Sequence, residues 1–321
     1  MSGKRIGVIT TSTPIDSLKA EQVSRAYTYL EKKGYEIREA EICRKRQDYV
    51  SGSIKERVKA IHDFVGDKNI DIIMSFWGGM NTNQILPYLD YAFIKRNPKI
   101  FVGYSDTSAL LNAITSKTGI ITFHGPACIT YSKPDLDEYC LEYFEKALYE
   151  DEWDIVEPEK YADDLYFLRE EDSDRRLFKK NEGLKVYREG VSEGEVVVSN
   201  LQTLLVLAGT EYFPSLKGKI LFVEEAEEAN VQQIDRFFTH LSQLADFNSI
   251  KGFVVGKFME YSNINEKQIK NILKRVSENF NGPVIFNASF GHTDPIFTVP
   301  NGGIANIDTS RKNIIKFRYG C

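Results

Sequence analysis

The sequence predicts an α/β protein whose N-terminal part is a doubly wound parallel sheet. Over the first 125 residues, short apolar runs alternate with amphipathic runs, and several apolar runs end in glycine or polar residues. The runs at 71–77 and 99–104 are continuously apolar, which is typical of strands covered on both faces. Strands that are separated by helices pair in parallel, and ligands bind such sheets at the carboxyl ends of the strands.

The predicted elements of this first domain follow one another closely. Strands are expected at 5–10, 35–42, 71–77, 99–104 and 120–123, and helices at 16–33, 53–65, 83–91 and 106–117. Residues 1–130 are therefore assigned to an N-terminal α/β domain. The polar segments at its strand ends are Ser12-Thr13-Pro14, Gly78-Gly79 and Ser105.

The rest of the chain divides into an irregular segment and a second domain. Residues 131–192 are rich in Asp, Glu, Tyr and Lys and have poor periodicity, which predicts a linker with a loop insertion. Its aromatic side chains either cover a pocket or anchor the loop: Trp153, Tyr161, Tyr166 and Phe167. Residues 193–321 form a mixed α/β or β-rich domain, with strands at 195–199, 219–224, 252–258, 283–288, 303–307 and 314–318 and helices at 202–207, 230–244 and 266–280.

Composition excludes several classes of function. The 321 residues carry 41 basic and 46 acidic side chains, a net charge of −5, so the basic surface typical of nucleic-acid binding is absent. No apolar run approaches the roughly 20 residues of a membrane helix, and no secretion signal precedes the first predicted strand. The four cysteines lack C-x-x-C spacing, which favours reduced thiols in a cytoplasmic protein over a zinc site or disulfides.

Ser105 lies on a predicted sharp turn between the strand at 99–104 and the helix that begins at Asp106. A hydroxyl at the carboxyl edge of a sheet, beside the N–H groups of a helix N-terminus, is where a nucleophile and an oxyanion hole form together. A helix N-cap is the alternative role for this serine, and N-caps are commoner than nucleophiles.

Four histidines are candidates for the base that a catalytic serine needs. His62 and His240 fall within predicted helices, where surface or packing roles are commoner. His124 follows a strand, and His292 lies in the glycine-rich turn FGHTDP, where its ring can point into a cleft. Position alone favours His292 only slightly over His124 as the base. The alternative role for His124 is that of a buried residue that supports the site.

A histidine base also needs a carboxylate that fixes its tautomer. The buried strand at 219–223 ends in Glu224-Glu225, and strand alternation sends one of these side chains toward the cleft and the other away. A solvated acidic helix start is the alternative for the run 224–228, and it suits Glu227 and Glu228 better than Glu224.

Other motifs are weak or absent. Gly78-Gly79 offers exposed N–H groups at a strand end, which is a weak signal for a phosphate or oxyanion cradle. The chain has no Walker pattern, no G-x-G-x-x-G and no G-x-S-x-G, so nucleotide hydrolysis, dinucleotide redox chemistry and an ordinary α/β-hydrolase are unsupported. No cluster of metal ligands is apparent, and neither a metal nor a cofactor is expected.

Together these segments resemble the LD-carboxypeptidase family of serine peptidases over nearly the whole chain, and most closely its microcin C self-immunity branch. The resemblance is carried by STP (12–14), GGMNTNQILPYLDY (78–91), the GYSD block with TFHGP (98–126), NLQTLLVLAGTEYFP (200–214), GKILFVEE (218–225) and FGHTDP (290–295). The GYSD block and the order Ser, Glu, His are its specific parts.

The resemblance implies Ser105 as the nucleophile, His292 as the general base and Glu224 as the carboxylate that orients it. It implies an oxyanion hole built from the backbone N–H groups of Gly79 and Asp106. It also implies a flavodoxin-like N-terminal domain, a swivelling β/β/α C-terminal domain and a homodimer. The residues expected to contact the substrate are Gly78, Asn81, Asn200 and Trp153.

The implied reaction is acyl transfer to serine followed by hydrolysis of an amide. The immunity branch cuts the bond between an aminoacyl or peptidyl group and a nucleotide-like part, whereas the murein branch releases the terminal D-alanine of a peptidoglycan tetrapeptide. A small peptide or an aminoacyl-nucleotide is therefore the expected partner. A binding protein that has lost catalysis is a third possibility, and the complete Ser, Glu, His set argues against it.

This sequence departs from the immunity branch around the substrate. VSN at 198–200 stands where that branch usually has Gly-Gly-Asn, and Leu184 follows Asn-Glu-Gly where a tryptophan is often found. The chain has only two tryptophans, Trp77 and Trp153. If tryptophan stacking holds a nucleobase in that branch, Tyr161 or Tyr166 is the candidate replacement here.

Overall fold

The fold is described from a computed structural model that covers residues 4–136, 138–165, 176–226 and 229–319. Tyr166, Phe167, Glu227 and Glu228 lie outside these described residues. The strands are β1 (Lys4–Ile9), β2 (Tyr35–Glu39), β3 (Arg46–Gln47), β4 (Val50–Ser51), β5 (Ile72–Ser75), β6 (Ile100–Gly103), β7 (Thr122–His124), β8 (Glu152–Asp154), β9 (Lys160–Tyr161), β10 (Lys179–Lys180), β11 (Lys185–Arg188), β12 (Val191–Asn200), β13 (Ile220–Glu224), β14 (Gly252–Gly256), β15 (Val284–Ala288), β16 (Val299–Asn301), β17 (Ile304–Asp308) and β18 (Ile315–Arg318). The α-helices are α1 (Ala20–Lys32), α2 (Ile54–Gly66), α3 (Tyr91–Arg96), α4 (Ser108–Thr118), α5 (Tyr139–Tyr149), α6 (Leu201–Val206), α7 (Val231–Gln243) and α8 (Glu266–Val276).

The first sheet has the strand order β16-β7-β6-β5-β1-β2. All pairs among β2, β1, β5, β6 and β7 are parallel, which confirms the predicted doubly wound parallel sheet. Helix α2 packs against β1 and β5, and α4 packs against β6 and β7. The carboxyl ends of β5 and β6 carry the glycine pair and the serine turn, so both segments meet at one edge of the sheet.

The second sheet has the strand order β11-β15-β14-β13-β12-β17-β18-β8. Its central strands β12 to β15 are parallel, and β11, β17, β18 and β8 pair antiparallel. Alternate residues of one strand enter different cores: Val196 and Val198 join the core of the first domain, whereas Val197 joins the cluster around α6, α7 and α8. Burial on both faces explains why these strands read as continuous apolar runs.

Strand β16 joins the two domains, and the sequence did not predict it. It follows β15 in the second domain but pairs antiparallel with β7 of the first sheet, with Val299 opposite His124. The Asn301 side chain accepts from the Val198 N–H at 3.3 Å and donates to Thr115 and Thr122 at 3.2 and 3.3 Å. A three-residue strand that contains a proline has no periodicity to recognise.

Residues 131–192 are more ordered than the sequence suggested. Helix α5 buries Cys140, Leu141, Phe144 and Ala147 along one face, a helical spacing that the acidic and aromatic composition around it obscured. Strands β8 and β11 form the two edges of the second sheet. Most of this segment therefore belongs to the body of the molecule.

Two predicted helices in the first domain have different bounds. The predicted helix at 83–91 is a 3₁₀ segment, Thr82–Tyr88, followed by α3, because Pro87 lacks an N–H and Asp90 starts a new helix by accepting from the Phe93 N–H at 2.8 Å. The helix predicted from residue 16 begins only at Ala20. None of the helices in the described part of the chain combines the length and hydropathy needed to cross a bilayer.

Replacing Asn301 tests the contribution of β16. Asn301→Ala leaves the buried Val198 N–H without its acceptor and removes a donor to Thr115 and Thr122, whose hydroxyls remain hydrogen-bonded to each other at 2.9 Å, so we expect the free energy of unfolding to fall by about 2 kcal/mol. Urea denaturation measures it. Asn306→Ala, at a partly exposed position on β17, is the control. Equal effects of the two substitutions would contradict the role given to Asn301.

Candidate active site

Ser105 occupies a strained turn between β6 and α4. Its φ angle is +59°, an uncommon conformation for a residue with a Cβ, and a 3₁₀ turn from Ser105 leads into the helix. Thr107, not Ser105, is in the N-cap position of α4. The Ser108 hydroxyl donates to the Ser105 carbonyl and accepts from the Asn200 N–H at 3.2 Å, so the turn is tied to the second domain.

Gly78 approaches this turn more closely than any other residue type would allow. A Cβ on Gly78 would lie 2.9 Å from Ser105 Oγ and 3.4 Å from the backbone nitrogen of Asp106. Gly79 packs instead against the segment at residues 12–13: it has a φ of +145°, and a Cβ there would lie 2.3 Å from Ser12 Oγ. The Gly78 backbone and the Asp106 nitrogen therefore lie beside the serine hydroxyl.

The Asp106 carboxylate anchors the segment that follows the glycines. It accepts from the N–H groups of Asn81 and Thr82 at 3.0 and 2.9 Å and from the Thr82 hydroxyl at 2.7 Å. Ser12 Oγ accepts from the N–H groups of Met80 and Asn81, both at 3.0 Å. Burial raises the pKa of Asp106, while these donors oppose the shift. The sequence pointed only to the backbone of Asp106.

Arg57 lies beneath the same segment, and sequence reasoning missed it. Its side chain is buried on α2 and donates to the Thr11 carbonyl and to Gln84 Oε1, both at 2.7 Å. Burial lowers the pKa of Arg57, and the nearby Asp106 carboxylate opposes that shift. An arginine in an otherwise ordinary amphipathic helix gives no signal in the sequence that it is buried.

Glu224 and His292 form a close pair within the second domain. His292 Nδ1 lies 2.6 Å from Glu224 Oε2, and the carboxylate is 1% exposed. Burial alone raises the pKa of Glu224, but the charge of His292 and its hydrogen bond outweigh burial and hold the pKa below its ordinary value. The carboxylate at the end of β13 is therefore placed to fix the tautomer and the orientation of this imidazole.

His124 lies behind this pair. It is fully buried on β7, and its Nε2 is 3.9 Å from the second oxygen of Glu224, Oε1. Burial lowers the pKa of His124 to about 4, so its imidazole is neutral at neutral pH. The structure thus places the two candidate histidines on opposite sides of one carboxylate.

Buried ion pairs hold the loop that carries His292. Asp294 pairs with Lys133 and with Arg176, whose Nη1 lies 3.0 Å from Asp294 Oδ2, and Arg176 Nε lies 2.8 Å from Asp164 Oδ1. Burial, reinforced by Arg176, lowers the pKa of Lys133 to about 7. Three of these four residues lie in the segment expected to be a linker, which explains why these ion pairs were not predicted.

Two cavities meet at Ser105. The first, called the main chamber, has a volume of 310 Å³ and is lined by Ser105, His292, Trp77, Tyr104 and Lys133 among others. The second, called the small chamber, has a volume of 80 Å³ and is lined by Ser105, Asn200, Gln202 and Glu225 among others. Gly79 and Met80 line both chambers.

Not all expected substrate contacts lie at these chambers. Gly78 lines the main chamber and Asn200 the small one, but Asn81 and Trp153 are not among the described residues that line either. Asn81 contributes its backbone to the anchoring of the glycine segment. The expectation for Trp153 was wrong, because it is buried on β8 with its ring 5.7 Å from that of Phe317.

Glu225 also differs from expectation, since it faces a cavity rather than pointing away. It follows the end of β13 and is 2% exposed. Its Oε1 accepts from Asn200 Nδ2 and the Ala226 N–H at 3.1 and 3.0 Å, and Oε2 accepts from the Gln202 N–H at 3.1 Å. Burial raises the pKa of Glu225 to about 7.

A serine on a strained turn, a histidine–carboxylate pair and a close glycine backbone define the class of serine hydrolases with the site between two domains. Within the described residues, no group of three or more His, Cys, Asp or Glu side chains is arranged to hold a metal ion. The N-terminal domain of the LD-carboxypeptidases matches residues 6–125, and their C-terminal domain matches residues 193–307. The chain belongs to the LD-carboxypeptidase family of serine peptidases.

Individual relatives are similar over almost their full length. The Bacillus subtilis protein YocD, which carries a carboxypeptidase name, is 36% identical over 307 residues, 95% of this chain and 94% of its own. The microcin C7 self-immunity protein MccF of Escherichia coli is 35% identical over 321 residues, which span 97% of this chain and 92% of MccF. This confirms the resemblance to the microcin self-immunity branch.

Solved structures show the same fold. The MccF-like protein of Bacillus anthracis strain Ames superposes with a TM-score of 0.94 at 34% identity, over 100% of this chain and 98% of its own. MccF in complex with aspartyl sulfamoyl adenosine superposes with a TM-score of 0.91 at 32% identity, over 100% of this chain and 97% of its own. These superpositions confirm the predicted fold class.

The raised pKa of Glu225 predicts how the free energy of unfolding depends on pH. Its pKa rises from 4.5 to about 7 on folding, so ionisation destabilises the folded state as pH rises from below 4.5 through 7. Between pH 5 and pH 8 we expect the wild type to lose roughly 2 to 3 kcal/mol of unfolding free energy relative to Glu225→Gln.

Denaturant unfolding of both proteins at several pH values measures this difference. Every other titratable group is present in both proteins, so the comparison reports the effect of the carboxyl at position 225. A difference between wild type and Glu225→Gln that stays constant from pH 5 to pH 8 would contradict the raised pKa.

Proposed function

We propose that this serine peptidase hydrolyses an amide or related bond in aminoacyl- or peptidyl-nucleotide-like compounds, with Ser105, His292 and Glu224 as its catalytic residues. The observation that carries this proposal is that Ser105 and His292 line one chamber while Glu224 lies 2.6 Å from His292 Nδ1. The similarity to MccF, whose complex contains aspartyl sulfamoyl adenosine, supports the substrate class.

In the proposed mechanism Ser105 Oγ attacks the substrate carbonyl and His292 Nε2 accepts the serine proton. Glu224 accepts a hydrogen bond from Nδ1–H and stabilises the imidazolium that forms. The N–H groups of Gly79 and Asp106 are proposed to stabilise the oxyanion, which is supported by the position of the Asp106 nitrogen directly after Ser105 and by Gly79 lining both chambers together with Ser105. His292 then protonates the leaving nitrogen, and water hydrolyses the acyl-enzyme by the reverse sequence of proton transfers.

The main chamber suits a nucleotide-like leaving group. Its 310 Å³ lies within the range of small-molecule sites, and it combines the aromatic walls of Trp77 and Tyr104 with a charged end at Lys133 and Asp294. Trp77 is held by its Nε1–H, which donates to the Thr13 carbonyl at 2.9 Å. Trp77 is therefore the aromatic surface that we propose for the base. The homodimer and the cytoplasmic location implied by the sequence stay predictions.

Replacing the nucleophile tests the proposed function. We expect wild type to hydrolyse an aminoacyl sulfamoyl adenosine, or a closely related nucleotide conjugate, and Ser105→Ala to lose at least several powers of ten in kcat, as happens when a triad member is removed. Mass spectrometry of the products is the measurement. Ser116→Ala, at an exposed position on α4, is the matched control.

A murein L,D-tetrapeptide assayed in parallel separates the two branches of the family. Cleavage of the tetrapeptide alone would replace the proposed substrate class by the murein one. Full activity of Ser105→Ala on either substrate would remove Ser105 as the nucleophile.

The two histidines are expected to respond differently to substitution. His292→Ala should lower kcat by several powers of ten, because it removes the group that transfers the proton. His124→Ala should cost much less, because His124 is not among the described residues that line either chamber and lies behind Glu224. Steady-state kinetics on one substrate, with exposed His240→Ala as the control, checks this order. The opposite order would make His124 the base.

A further inference from the structure

The meeting of the two chambers at Ser105 gives the substrate a direction, provided that the proposed function holds. A carbonyl carbon at Ser105 Oγ has two substituents, the acyl group and the leaving group, and they extend to different sides. His292 must reach the leaving nitrogen to protonate it, and His292 lines the main chamber. The leaving group therefore occupies the main chamber, and the acyl group extends into the small chamber.

The small chamber is acidic. Its described lining residues include the carboxylates of Asp106 and Glu225 and no Lys, Arg or His. Asp106 accepts three hydrogen bonds from Asn81 and Thr82 at Oδ2, which hold its side chain against the glycine segment. Glu225 accepts three hydrogen bonds, whereas a carboxylate has about four acceptor positions, so it has capacity for one more donor.

The position of Glu225 is fixed by the groups around it. Asn200 donates to Glu225 through Nδ2, and its Oδ1 accepts from the Thr203 N–H at 3.0 Å, so the amide cannot turn away. Above its pKa of about 7, the Glu225 carboxylate is mostly ionised, and held in this way it presents its charge to the chamber without rearrangement. With a volume of only 80 Å³, the chamber admits a compact group rather than an extended peptide.

We infer that the small chamber binds the acyl group of the substrate and that Glu225 makes it selective for acyl groups that carry a protonated amine over those that carry a carboxylate. An ammonium donates a charge-assisted hydrogen bond to Glu225, which is stronger than one between neutral groups. A carboxylate in the same place meets like charge and has no cation among the described lining residues.

The amine has two possible sources, the α-ammonium of an aminoacyl group or an ammonium on its side chain. Sulfamoyl adenosine conjugates distinguish them. Alanyl and N-acetylalanyl conjugates differ in the α-ammonium, and N-acetyl-lysyl and N-acetylnorleucyl conjugates differ in the side-chain ammonium. Aspartyl and asparaginyl conjugates differ in the side-chain carboxylate alone.

The experiment measures kcat/KM for these pairs at pH 7.5, where Glu225 is mostly ionised, with wild type, Glu225→Gln and Glu211→Gln. Wild type should prefer the amine in at least one of the first two pairs, and asparaginyl over aspartyl, by about tenfold to a hundredfold. Glu225→Gln should reduce these ratios to near one. Glu211→Gln removes the same charge from an exposed residue paired with Lys117 and should keep the wild-type ratios.

The outcomes separate this inference from the proposed function. Hydrolysis by wild type with no preference in any pair, or with preferences that Glu225→Gln retains, overturns the selectivity and leaves the proposed function standing. Absence of hydrolysis with every conjugate overturns both. Because the ratios are measured within wild type as well, a Glu225→Gln protein that fails to fold still leaves the preference open to refutation.

Discussion

The antiparallel pairing of β16 with β7 is the constraint on which the rest of the site depends. It brings the chain from the second domain onto the first sheet seven residues after His292, beside the strand that neighbours β6 and the Ser105 turn. The cores of the two domains merge there, since alternate residues of β12 and β13 enter the core of the first domain. The proposed catalytic residues, which are divided between the two domains, are thereby held in place by strand pairing and a shared core.

Buried charge accounts for the local order of the site. Glu224, Asp106, Arg57 and Asp294 all lie in surroundings where an unpaired charge is costly. Glu224 pairs with His292, and Asp294 pairs with Lys133 and Arg176. Asp106 is hydrogen-bonded to Thr82, and Arg57 to the Thr11 carbonyl. Removal of Asp294 leaves the buried charges of Lys133 and Arg176 without this partner. The strained turn at Ser105 and the close glycine backbone therefore persist because networks on both sides fix them.

The sequence predicted what periodicity and local motifs encode. The parallel first sheet follows from alternating apolar and amphipathic runs, and Ser105, Glu224 and His292 follow from strand ends and from the family resemblance. It did not predict β16, α5, the anchoring by Arg57 or the ion pairs of Asp294. Each of these depends on contacts between residues far apart in the chain, and a short strand or a lone arginine has no periodic signal. Trp153 was assigned to the substrate because composition alone does not distinguish a core aromatic residue from one at a cleft.

The most direct test of the central claim is to map the site of covalent labelling by a fluorophosphonate, which reacts only with an activated serine. Peptide mass spectrometry should find the label on Ser105 in the wild type, and the label should be lost in His292→Ala, because activation of a serine in one domain depends on a histidine in the other. Labelling of a different serine, or equal labelling of Ser105 in His292→Ala, would contradict the assembly of the site across the two domains.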